Sequence, residues 1–463
     1  MDIRFDADLI RRYDRPGPRY TSYPTAPQFH GNFGAQDYVA QARASNAGGR
    51  PLSLYLHIPY CRSSCYYCGC NRIITRNRER GRTYLDRLLV EIRMQAALFD
   101  RSRAVDQLHF GGGTPTYYTP EELGEIFTEL RAGFGLHAGS GRDYGIEIDP
   151  RTADPTALRA LVELGINRIS LGVQDFDPAV QRAVNRVQSV DETACLVQEA
   201  RAAGIRSINF DLIYGLPLQT VASFEGTLEQ VLALRPDRIA AYSYAHLPEM
   251  FKAQAVIDPA TLPAADTRMA LLEATIARLT AAGYVHIGMD HYALPGEELA
   301  VAQRDGSLQR NFQGYTTHGG CDLIGLGMSA IGQVGDCYAQ NEKHEISWLH
   351  ALGSGRLPIQ RGLLIDADDR LRRETIGQIM CFGRIDYDQF RARHGIDFRE
   401  YFATSLTRLR QPCADGLVEL RDDGLAVTPA GALLLRVIAM AFDAYLSGDR
   451  QAQAVPARYS RVV

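Results

Sequence analysis

The chain has 463 residues, 46% of them hydrophobic, and its 50 basic and 54 acidic residues give a formal net charge of −4. This length predicts two or three domains with enough chain to form a hydrophobic core without disulfide bridges. The slight excess of acid argues against a general nucleic-acid-binding protein, although it leaves room for a local basic pocket.

Cysteine content and hydropathy together indicate a compartment. The longest apolar stretch, residues 431–446, contains Arg436 and Asp443, so it is interpreted as a buried amphipathic helix and not as a membrane span. The amino-terminal residues lack the apolar run of a secretory signal. Nine cysteines, four of them within residues 61–70, favour a reducing compartment and a metal site. We therefore expect a cytoplasmic protein that binds no membrane or nucleic acid, and we expect a monomer.

The first 50 residues are predicted to form an amino-terminal arm. Residues 11–27, RRYDRPGPRYTSYPTAP, are rich in proline, arginine and tyrosine and show no periodic pattern. Such a composition predicts an extended segment.

From about residue 53, short apolar runs alternate with longer amphipathic runs. This alternation is typical of βαβ units and a parallel sheet. The predicted strands are residues 53–60, 105–110, 144–150, 167–174, 207–217 and 237–246. Helical patterns include residues 83–99 and 265–284. The series favours an α/β fold, a partial (β/α)6 TIM-like barrel over residues 51–365, although a doubly wound sheet fits the same pattern.

The strand pattern fades after about residue 365. Apolar residues recur at helical spacing in residues 371–382 and 401–416, and residues 417–442 are typical of a hairpin followed by a helix. We therefore predict a small, mostly helical domain with winged-helix character over residues 366–463.

The stretch CRSSCYYCGC, residues 61–70, contains Cys61, Cys65 and Cys68 in C-x3-C-x2-C spacing, followed by Cys70. Thiolates bind zinc or iron–sulfur clusters. A structural zinc site usually combines two separated C-x-x-C pairs, whereas these thiols lie together directly after a strand. The loop favours a [4Fe–4S] cluster and leaves open whether three or all four thiols bind it; three ligands would leave one iron without a protein ligand. Zinc and free thiols are the alternatives.

Polar and glycine residues follow the predicted strands at the edge where a barrel places its active site. In HFGGGTPT, residues 109–116, three glycines let backbone amides approach a ligand, and the absence of GK[ST] argues against a P-loop; a tight turn is the alternative. Glu147, Gln174 and Asp211 occupy matching positions in the next three strands. Each alone fits a hydrogen-bonded core residue; together they predict one site.

The cysteine loop after the first strand resembles that of the radical S-adenosylmethionine (SAM) superfamily. Within that superfamily, several motifs closely resemble the oxygen-independent coproporphyrinogen III oxidase family over roughly residues 10–440. These motifs are PRYTSYPTA, YLHIPYCRSSCYYCGCN, FGGGTPT, EIDPRT, SLGVQDFDPAVQRAVNR, NFDLIYGLP, YSYAHLPEMFKAQ and GLGMSAIG. The resemblance implies a partial (β/α) barrel, a carboxyl-terminal helical domain, a [4Fe–4S] cluster and two SAM molecules.

The same resemblance implies site residues motif by motif. The cluster ligands would be Cys61, Cys65 and Cys68. The first SAM would involve Tyr55, Gly112, Glu147 and Ile331. The second SAM would involve Tyr67, Gly113, Thr114, Gln174, Arg186, Asp211 and Ala245.

The implied reaction converts two propionate side chains of coproporphyrinogen III to vinyl groups through a 5′-deoxyadenosyl radical, giving protoporphyrinogen IX. It requires an electron donor and an electron acceptor that the sequence does not name. Four substrate carboxylates require local cations, and arginine forks suit them. The candidates are Arg11, Arg12, Arg15, Arg19 and Arg72, with Arg19 foremost. A solvated basic arm is the alternative.

Two residues of the cysteine region are predicted to act in catalysis. SAM requires an open iron, so Cys70 is expected not to bind the cluster and to face the second SAM or the substrate. His57, four residues before Cys61, is expected to protonate or orient a group near the cluster; a packed histidine is the alternative.

Two other protein classes compete with the oxidase. Haem-binding paralogues in the superfamily lack the PRYTSYPTA arm and usually carry an aromatic residue where this chain has Cys70. Both differences favour the oxidase. A zinc-stabilised structural protein is the unrelated third class.

Overall fold

The computed structural model describes residues 3–154, 156–450 and 459–461. Two compact units divide the chain. The larger comprises His30–Arg278 and Gly320–Leu364, and the smaller comprises Met1–Phe29, Leu279–Gly319 and Ile365–Val463. Within the described residues, no helix combines the length and apolarity that crossing a membrane requires.

The strands are numbered in chain order. They are β1 Leu52–Ile58, β2 Tyr60–Cys61, β3 Ile73–Ile74, β4 Ala104–Gly112, β5 Gly135–Leu136, β6 Asp143–Ile148, β7 Arg168–Gln174, β8 Ser207–Tyr214, β9 Arg238–Ser243, β10 Val285–Gly288, β11 His291–Ala293, β12 Gln309–Asn311, β13 Gly314–Thr316, β14 Asp322–Leu326, β15 Ile331–Val334, β16 Cys337–Asn341, β17 Ile359–Leu364, β18 Arg384–Asp386, β19 Val418–Leu420 and β20 Gly424–Val427.

The α-helices are numbered in the same way. They are α1 Ala7–Tyr13, α2 Ala35–Ser45, α3 Arg78–Ala96, α4 Pro120–Gly133, α5 Ala157–Leu164, α6 Pro178–Ala183, α7 Val190–Ala203, α8 Val221–Leu234, α9 Ala265–Ala281, α10 Glu298–Asp305, α11 Glu345–Gly353, α12 Ala367–Phe382, α13 Tyr387–His394, α14 Phe398–Tyr401, α15 Ala403–Arg408, α16 Arg410–Ala414 and α17 Leu435–Met440.

The larger unit contains one extended sheet in the order β9, β8, β7, β6, β4, β1, β14, β15, β16, β17. Strands β1, β4, β6, β7, β8 and β9 pair in parallel and correspond to the predicted strands. Helices α3 to α8 lie in the connections between them. The predicted α/β fold with serial βα units is therefore confirmed.

Strand β14 and the antiparallel strands β15, β16 and β17 were not among the predicted strands. Strand β14 pairs in parallel with β1 on the side away from β4, and β15 to β17 continue the sheet. Their sequences, such as CYAQN in β16, are short and mixed in polarity. Their burial depends on neighbouring strands, which a periodic pattern does not reveal.

The pleat of the parallel strands brings one set of side chains to a common face. In β7 and β8, half-buried residues alternate with buried ones. Ser170 of β7 is paired with Asn209 of β8, and Gly172 is paired with Asp211. Because alternate residues of a strand share a face, the polar residues Ser170, Asn209 and Asp211 lie on the same face.

Capping residues set the ends of helices beside this sheet. Thr119 and Glu122 form a capping box at the start of α4. Ser189 and Glu192 do the same for α7, which is capped after Ala203 by Gly204 with a φ of 95°. These are standard signals for helix start and stop, so the boundaries follow from local sequence.

The smaller unit has its own hydrophobic core. Helices α12 and α17 contribute to it, and Tyr20 and Tyr23 from the amino-terminal segment are buried within it. The hairpin β19–β20 precedes α17, as the sequence of residues 417–442 predicted. This unit thus combines the carboxyl-terminal helices with residues from two earlier parts of the chain.

The amino-terminal prediction needs correction. Residues 1–50 contain α1 and α2, and Tyr20 and Tyr23 are core residues, so the segment is not simply an extended arm. The predicted domain limits, residues 1–50, 51–365 and 366–463, also differ from the two compact units, which divide the first segment after Phe29 and assign Leu279–Gly319 to the smaller unit. Tyr20 and Tyr23 lie in the core of the smaller unit, and the sequence alone does not show where an aromatic side chain packs.

Candidate active site

The cysteine loop connects β1 to α3 and is held by backbone hydrogen bonds. The amide of Ile73 donates to the carbonyl oxygen of Pro59 at 2.7 Å, and that of Thr75 donates to the carbonyl oxygen of Cys61 at 3.0 Å. These bonds join β2 to β3 and close the loop at its base. The three predicted ligands therefore lie in a fixed loop directly after the first barrel strand.

Arginines surround the predicted cluster ligands. Cys65 is buried, and its Sγ accepts hydrogen bonds from Nη2 of Arg151 at 3.4 Å and Nη1 of Arg186 at 3.5 Å. Arg72 donates to the carbonyl oxygen of Cys65 at 3.0 Å. Guanidinium groups stabilise thiolates, the form in which cysteine binds metal. This donor set fits a [4Fe–4S] cluster with Cys61, Cys65 and Cys68 as ligands.

The thiols differ in their electrostatic surroundings. A hydrogen bond from Cys70, followed by the charges of Arg72 and Arg186, outweighs the effect of burial and lowers the pKa of Cys68 to about 6. Burial raises the pKa of Cys61 to about 11, although Thr114 opposes this effect. Cys70 itself is exposed, and its amide donates to Sγ of Cys68 at 3.4 Å.

His57 connects the end of β1 to the cysteine loop. Its Nε2 donates to the carbonyl oxygen of Asn71 at 2.9 Å, and its Nδ1 accepts from the Tyr55 hydroxyl at 3.2 Å. Burial lowers the pKa of His57, which favours a neutral ring. Both ring nitrogens have protein partners, so this geometry supports the orienting part of its predicted role and gives no support to proton transfer.

The glycine motif packs closely against the start of the cysteine loop. The amide of Gly113 donates to the carbonyl oxygen of Ile58 at 2.7 Å, and that of Thr114 donates to Tyr60 at 2.9 Å. Gly112 has a φ of +114°, and a Cβ there would lie 2.7 Å from the His57 ring. Glycine is required at this position for both reasons.

Three of the four residues predicted for the first SAM are linked by a hydrogen bond or by an electrostatic interaction. Glu147 Oε2 accepts a hydrogen bond from the amide of Gly112 at 3.2 Å. The charge of Glu147 also acts on Tyr55, whose hydroxyl has a raised pKa caused first by burial. Ile331 begins β15, and a Cβ on Gly325 would lie 2.8 Å from its carbonyl carbon. Gly325 is the partner of Tyr55 in the sheet, so Ile331 belongs to the same neighbourhood.

Arg186 is the centre of the residues predicted for the second SAM. It is buried, and its Nη2 donates to the carbonyl oxygen of Gly172 at 2.5 Å. Its charge interacts with Tyr67 and Asp211. Burial would raise the pKa of Asp149, but the nearby Arg186 and Arg151 lower it overall.

The other predicted contacts of the second SAM lie around this centre. Asp211 accepts hydrogen bonds from Ser170 Oγ at 2.8 Å and from Asn209 Nδ2 at 3.0 Å, and burial raises its pKa to about 6. Gln174 ends β7 with a positive φ of 66°. Ala245 follows β9 at a half-buried position. Thr114 Oγ1 lies 3.4 Å from Cys61 Sγ.

Four further residues of the site were not predicted. Asp149 and Arg151 form an ion pair at 2.6 Å beside Cys65, and Ser170 and Asn209 hold Asp211. The alternation of β7 and β8 would have placed Ser170 and Asn209 on the site face. No spacing rule would have identified the contact of Arg151 with Cys65, because the two residues are distant in sequence.

The arginines predicted to bind substrate have protein partners in several cases. Arg19 forms an ion pair with Asp290. Arg12 pairs with Asp415 at 2.8 Å, and Arg11 with Asp8 at 3.1 Å. Arg72 supports the cysteine loop, while Arg15 is exposed. Their role toward a substrate remains a prediction.

Comparisons with known proteins identify the family of the chain. The sequence model of the Radical SAM superfamily matches residues 55–231, and that of the HemN C-terminal domain matches residues 365–434. Oxygen-independent coproporphyrinogen III oxidase from Pseudomonas aeruginosa is 52% identical, covering 100% of this chain and 99% of the relative. The Escherichia coli protein of the same name is 46% identical with the same coverage.

A solved structure gives the same result at the level of the fold. Coproporphyrinogen III oxidase (HemN) from Escherichia coli, described as a radical SAM enzyme, superposes with a TM-score of 0.91 at 45% identity. The superposition covers 96% of this chain and 100% of that structure. The chain therefore belongs to the oxygen-independent coproporphyrinogen III oxidase family of the radical SAM superfamily.

Proposed function

We propose that this chain converts coproporphyrinogen III to protoporphyrinogen IX by oxidative decarboxylation of two propionates without oxygen, a step of haem biosynthesis. The observation that carries this proposal is 52% identity over the whole chain to a relative of that name. The cysteine loop with its arginines supports it, because the chemistry requires a thiolate-bound cluster.

The chain is a radical SAM oxidoreductase that uses a [4Fe–4S] cluster and SAM. When bound, these groups supply a 5′-deoxyadenosyl radical that takes a hydrogen atom from the substrate. Cys61, Cys65 and Cys68 would hold the cluster. Arg151 and Arg186 would offset the negative charge of the thiolates, since both guanidinium groups contact Cys65.

We further propose two SAM positions. Tyr55, Gly112, Glu147 and Ile331 would serve the first. Tyr67, Gly113, Thr114, Gln174, Arg186, Asp211 and Ala245 would serve the second. The geometry of Asp211 supports this assignment: Ser170 and Asn209 hold its carboxylate, and the ammonium or sulfonium group of SAM would stabilise the charged form of that buried group.

The remaining parts of the proposal concern partners and compartment. Arg19 is our leading candidate for a substrate carboxylate, and Cys70 for a group that contacts the second SAM or the substrate. An electron donor must reduce the cluster, and an acceptor must take the electron released by decarboxylation. We propose a cytoplasmic location, because a reducing compartment preserves free thiols. We also propose that the protein is a monomer.

A haem-binding paralogue without oxidase activity is the alternative, and it is not favoured. The full-length relatives at 46–52% identity carry the oxidase name. The chain also has Cys70 and the amino-terminal motif PRYTSYPTA.

One experiment tests the activity directly. The cluster is reconstituted without oxygen, and the protein is supplied with SAM, a chemical reductant and coproporphyrinogen III. We expect protoporphyrinogen IX and 5′-deoxyadenosine, and neither product from Cys65→Ala, which removes a cluster ligand. Stable haem binding without turnover of coproporphyrinogen III would contradict the proposal and favour the paralogue.

A further inference from the structure

Arg151 contacts a predicted cluster ligand from a distant part of the chain. It lies after β6, and its Nη2 donates a hydrogen bond to Sγ of Cys65 at 3.4 Å. The Arg151 side chain is 15% exposed, and Cys65 is buried. Because water has little access to this pair, the hydrogen bond and the charge of the guanidinium group act on the sulfur with little screening.

Asp149 fixes the orientation of Arg151. Nη2 of Arg151 donates to Oδ2 of Asp149 at 2.6 Å, and Nε donates to Oδ1 at 3.0 Å. The backbone amide of Arg151 also donates to Oδ1 at 3.1 Å, and Nη1 donates to the carbonyl oxygen of Asn185 at 3.2 Å. A guanidinium group held by such a fork has a fixed plane. Arg151 is therefore already in position to donate to Cys65.

The second arginine at this sulfur has other contacts and another predicted role. Arg186 donates to Sγ of Cys65 at 3.5 Å, to Oδ2 of Asp149 at 3.4 Å and to the carbonyl oxygen of Gly172. It also belongs to the residues that we propose for the second SAM. Arg151 belongs neither to the proposed SAM positions nor to the proposed cluster ligands. Its contact with Cys65 needs a separate explanation, because a buried ion pair adds little net stability.

A hydrogen bond to a ligand sulfur changes the reduction potential of an iron–sulfur cluster. The reduced cluster carries one more negative charge than the oxidised cluster, so a cationic donor stabilises the reduced form more. This difference raises the potential. At longer range, the negative charge of Asp149 offsets much of the charge of Arg151. The direct hydrogen bond from Arg151 to Cys65 is therefore the main contribution of this ion pair to the potential.

We propose that Arg151, positioned by Asp149, raises the reduction potential of the [4Fe–4S] cluster through its hydrogen bond to Cys65. This inference rests on the proposed function in one respect, since it assumes a cluster on Cys61, Cys65 and Cys68. The property concerned is a one-electron reduction, in which a chemical reductant loses the electron that the cluster gains. No covalent bond breaks, and Arg151 neither gains nor loses a proton.

The reduction potential of the reconstituted holoprotein is the first test, because it does not depend on turnover. It is measured without SAM or substrate by redox titration with electron paramagnetic resonance detection. Arg151→Met should contain as much iron and sulfide as the unmodified protein. Its equilibrium constant for reduction should fall at least about tenfold, which is a potential about 59 mV more negative.

Arg151→Lys is the conservative variant. An ammonium group retains the charge but cannot form the same fork with Asp149, so its potential should lie between those of Arg151→Met and the unmodified protein. If Arg151→Met assembles no cluster, Arg151→Lys replaces it in the comparison and should still lie below the unmodified protein. A potential equal to that of the unmodified protein in the variant compared would overturn the proposal.

A matched control lies at the other end of the same strand. Arg168 is 18% exposed, and its Nη2 donates to Oδ2 of Asp143 at 2.8 Å. Asp143 begins β6 and Asp149 directly follows it, so the two ion pairs are about 20 Å apart along the strand. Arg168→Met should leave the equilibrium constant for reduction within about twofold of the unmodified value. An equal shift in Arg168→Met and Arg151→Met would indicate a general effect of charge and overturn the proposal.

A double-mutant cycle tests the positioning role of Asp149. Asp149→Asn is made in the unmodified protein and in Arg151→Met, and the two shifts in potential are compared. In Arg151→Met, loss of the negative charge should raise the potential. In the unmodified protein the rise should be smaller or reversed, because Arg151 also loses its fork. Equal shifts in the two proteins would overturn the positioning role.

Turnover separates this inference from the proposed function. The unmodified protein is supplied with SAM, a chemical reductant and coproporphyrinogen III, and the products are measured. Absence of protoporphyrinogen IX from a protein with an intact cluster would reject the proposed function, while the measured potentials would still decide the role of Arg151. Failure of the unmodified protein to assemble any cluster would overturn both.

Discussion

Cys70 differs from the other thiols of its loop in exposure and in its contacts. It is exposed, whereas Cys65 is buried, and its amide contacts Sγ of Cys68. Arg151 and Arg186 donate hydrogen bonds to Sγ of Cys65. That three thiols bind the cluster and that Cys70 has another role stays our proposal.

Replacing Cys70 with serine should therefore leave the cluster in place. We expect the reconstituted Cys70→Ser variant to contain as much iron and sulfide as the unmodified protein. Its absorbance at about 400 nm should also be the same. Turnover should fall if the thiol contacts the second SAM or the substrate. Cys68→Ser is the matched control and should lose the cluster; failure of both variants to assemble a cluster would make Cys70 a ligand.

Arg19 offers a second prediction at the residue level. Arg19→Ala should raise the KM for coproporphyrinogen III about tenfold with little change in kcat, because a charged hydrogen bond to a carboxylate contributes about 1.5 kcal/mol. Asp290→Asn removes the ion pair and retains the guanidinium, so its KM should stay close to the unmodified value. An equal rise in both variants would make the ion pair structural and Arg19 no substrate ligand.

At this scale the sequence identified residues by motif but not by contact. The cysteines, the glycines and Glu147 stand in short motifs, and the structure brings them together around the end of β1. Arg151 was missed because its contact with Cys65 depends on the return of the chain after β6. Similarly, the pairing of Arg19 with Asp290 joins residues that no periodic pattern relates.

Among the elements, α3 has a role that its amphipathic pattern does not reveal. Glu91 is fully buried on this helix and accepts hydrogen bonds from the amide of Gly327 at 2.7 Å, Asn341 Nδ2 at 2.7 Å and Trp348 Nε1 at 3.2 Å. Tyr84 of the same helix donates to the carbonyl oxygen of His57 at 2.8 Å. Helix α3 thereby fixes the turn after β14 against the end of β1.

Glu91 should make the stability of this contact depend on pH. Burial raises the pKa of Glu91 to about 7, so the folded protein binds a proton that the unfolded chain releases above about 4.5. The stabilisation is complete below about pH 4.5 and is lost as pH rises through 7. Between pH 5 and 8 the free energy of unfolding of the unmodified protein should fall by about 2–3 kcal/mol relative to Glu91→Gln.

Urea unfolding of the two apoproteins, followed by circular dichroism, checks this difference. Comparing the variant with the unmodified protein at each pH removes the contributions of the other titrating groups. A constant difference across the range would mean that Glu91 is ionised in the folded protein at every pH tested.

Elements with a strong period were predictable, and those that depend on neighbours were not. The strands β1, β4 and β6 to β9 are apolar runs between helices, and their limits were predicted to within a few residues. Strands β14 to β17 are defined by pairing with β1 and with one another. Their side chains are of mixed polarity, so the register of the sheet and not the local pattern determines them.

For the whole molecule, the amino-terminal segment is part of a folded unit. Tyr20 and Tyr23 are buried, the Tyr20 hydroxyl donates to Asp443 at 3.0 Å, and the amide of Ala444 donates to the Tyr23 hydroxyl at 3.1 Å. Arg436 donates to the carbonyl oxygen of Pro18 at 2.9 Å. Composition suggested a separate arm because it does not reveal contacts between the two ends of the chain.

Deleting residues 1–29 should therefore destabilise the smaller unit and spare the cluster. Removing two buried tyrosines leaves cavities in the core, and loss of a buried aromatic side chain costs about 3 kcal/mol or more. We expect a lower midpoint of thermal unfolding and faster proteolysis of residues 365–450, while the iron content of the reconstituted protein is unchanged, because the cysteine loop and its arginines belong to the larger unit. Deleting residues 1–3 is the control and should change neither quantity. An unchanged midpoint in the longer deletion would contradict a structural role for the segment, and loss of iron together with stability would mean that the larger unit depends on the smaller one to form its site.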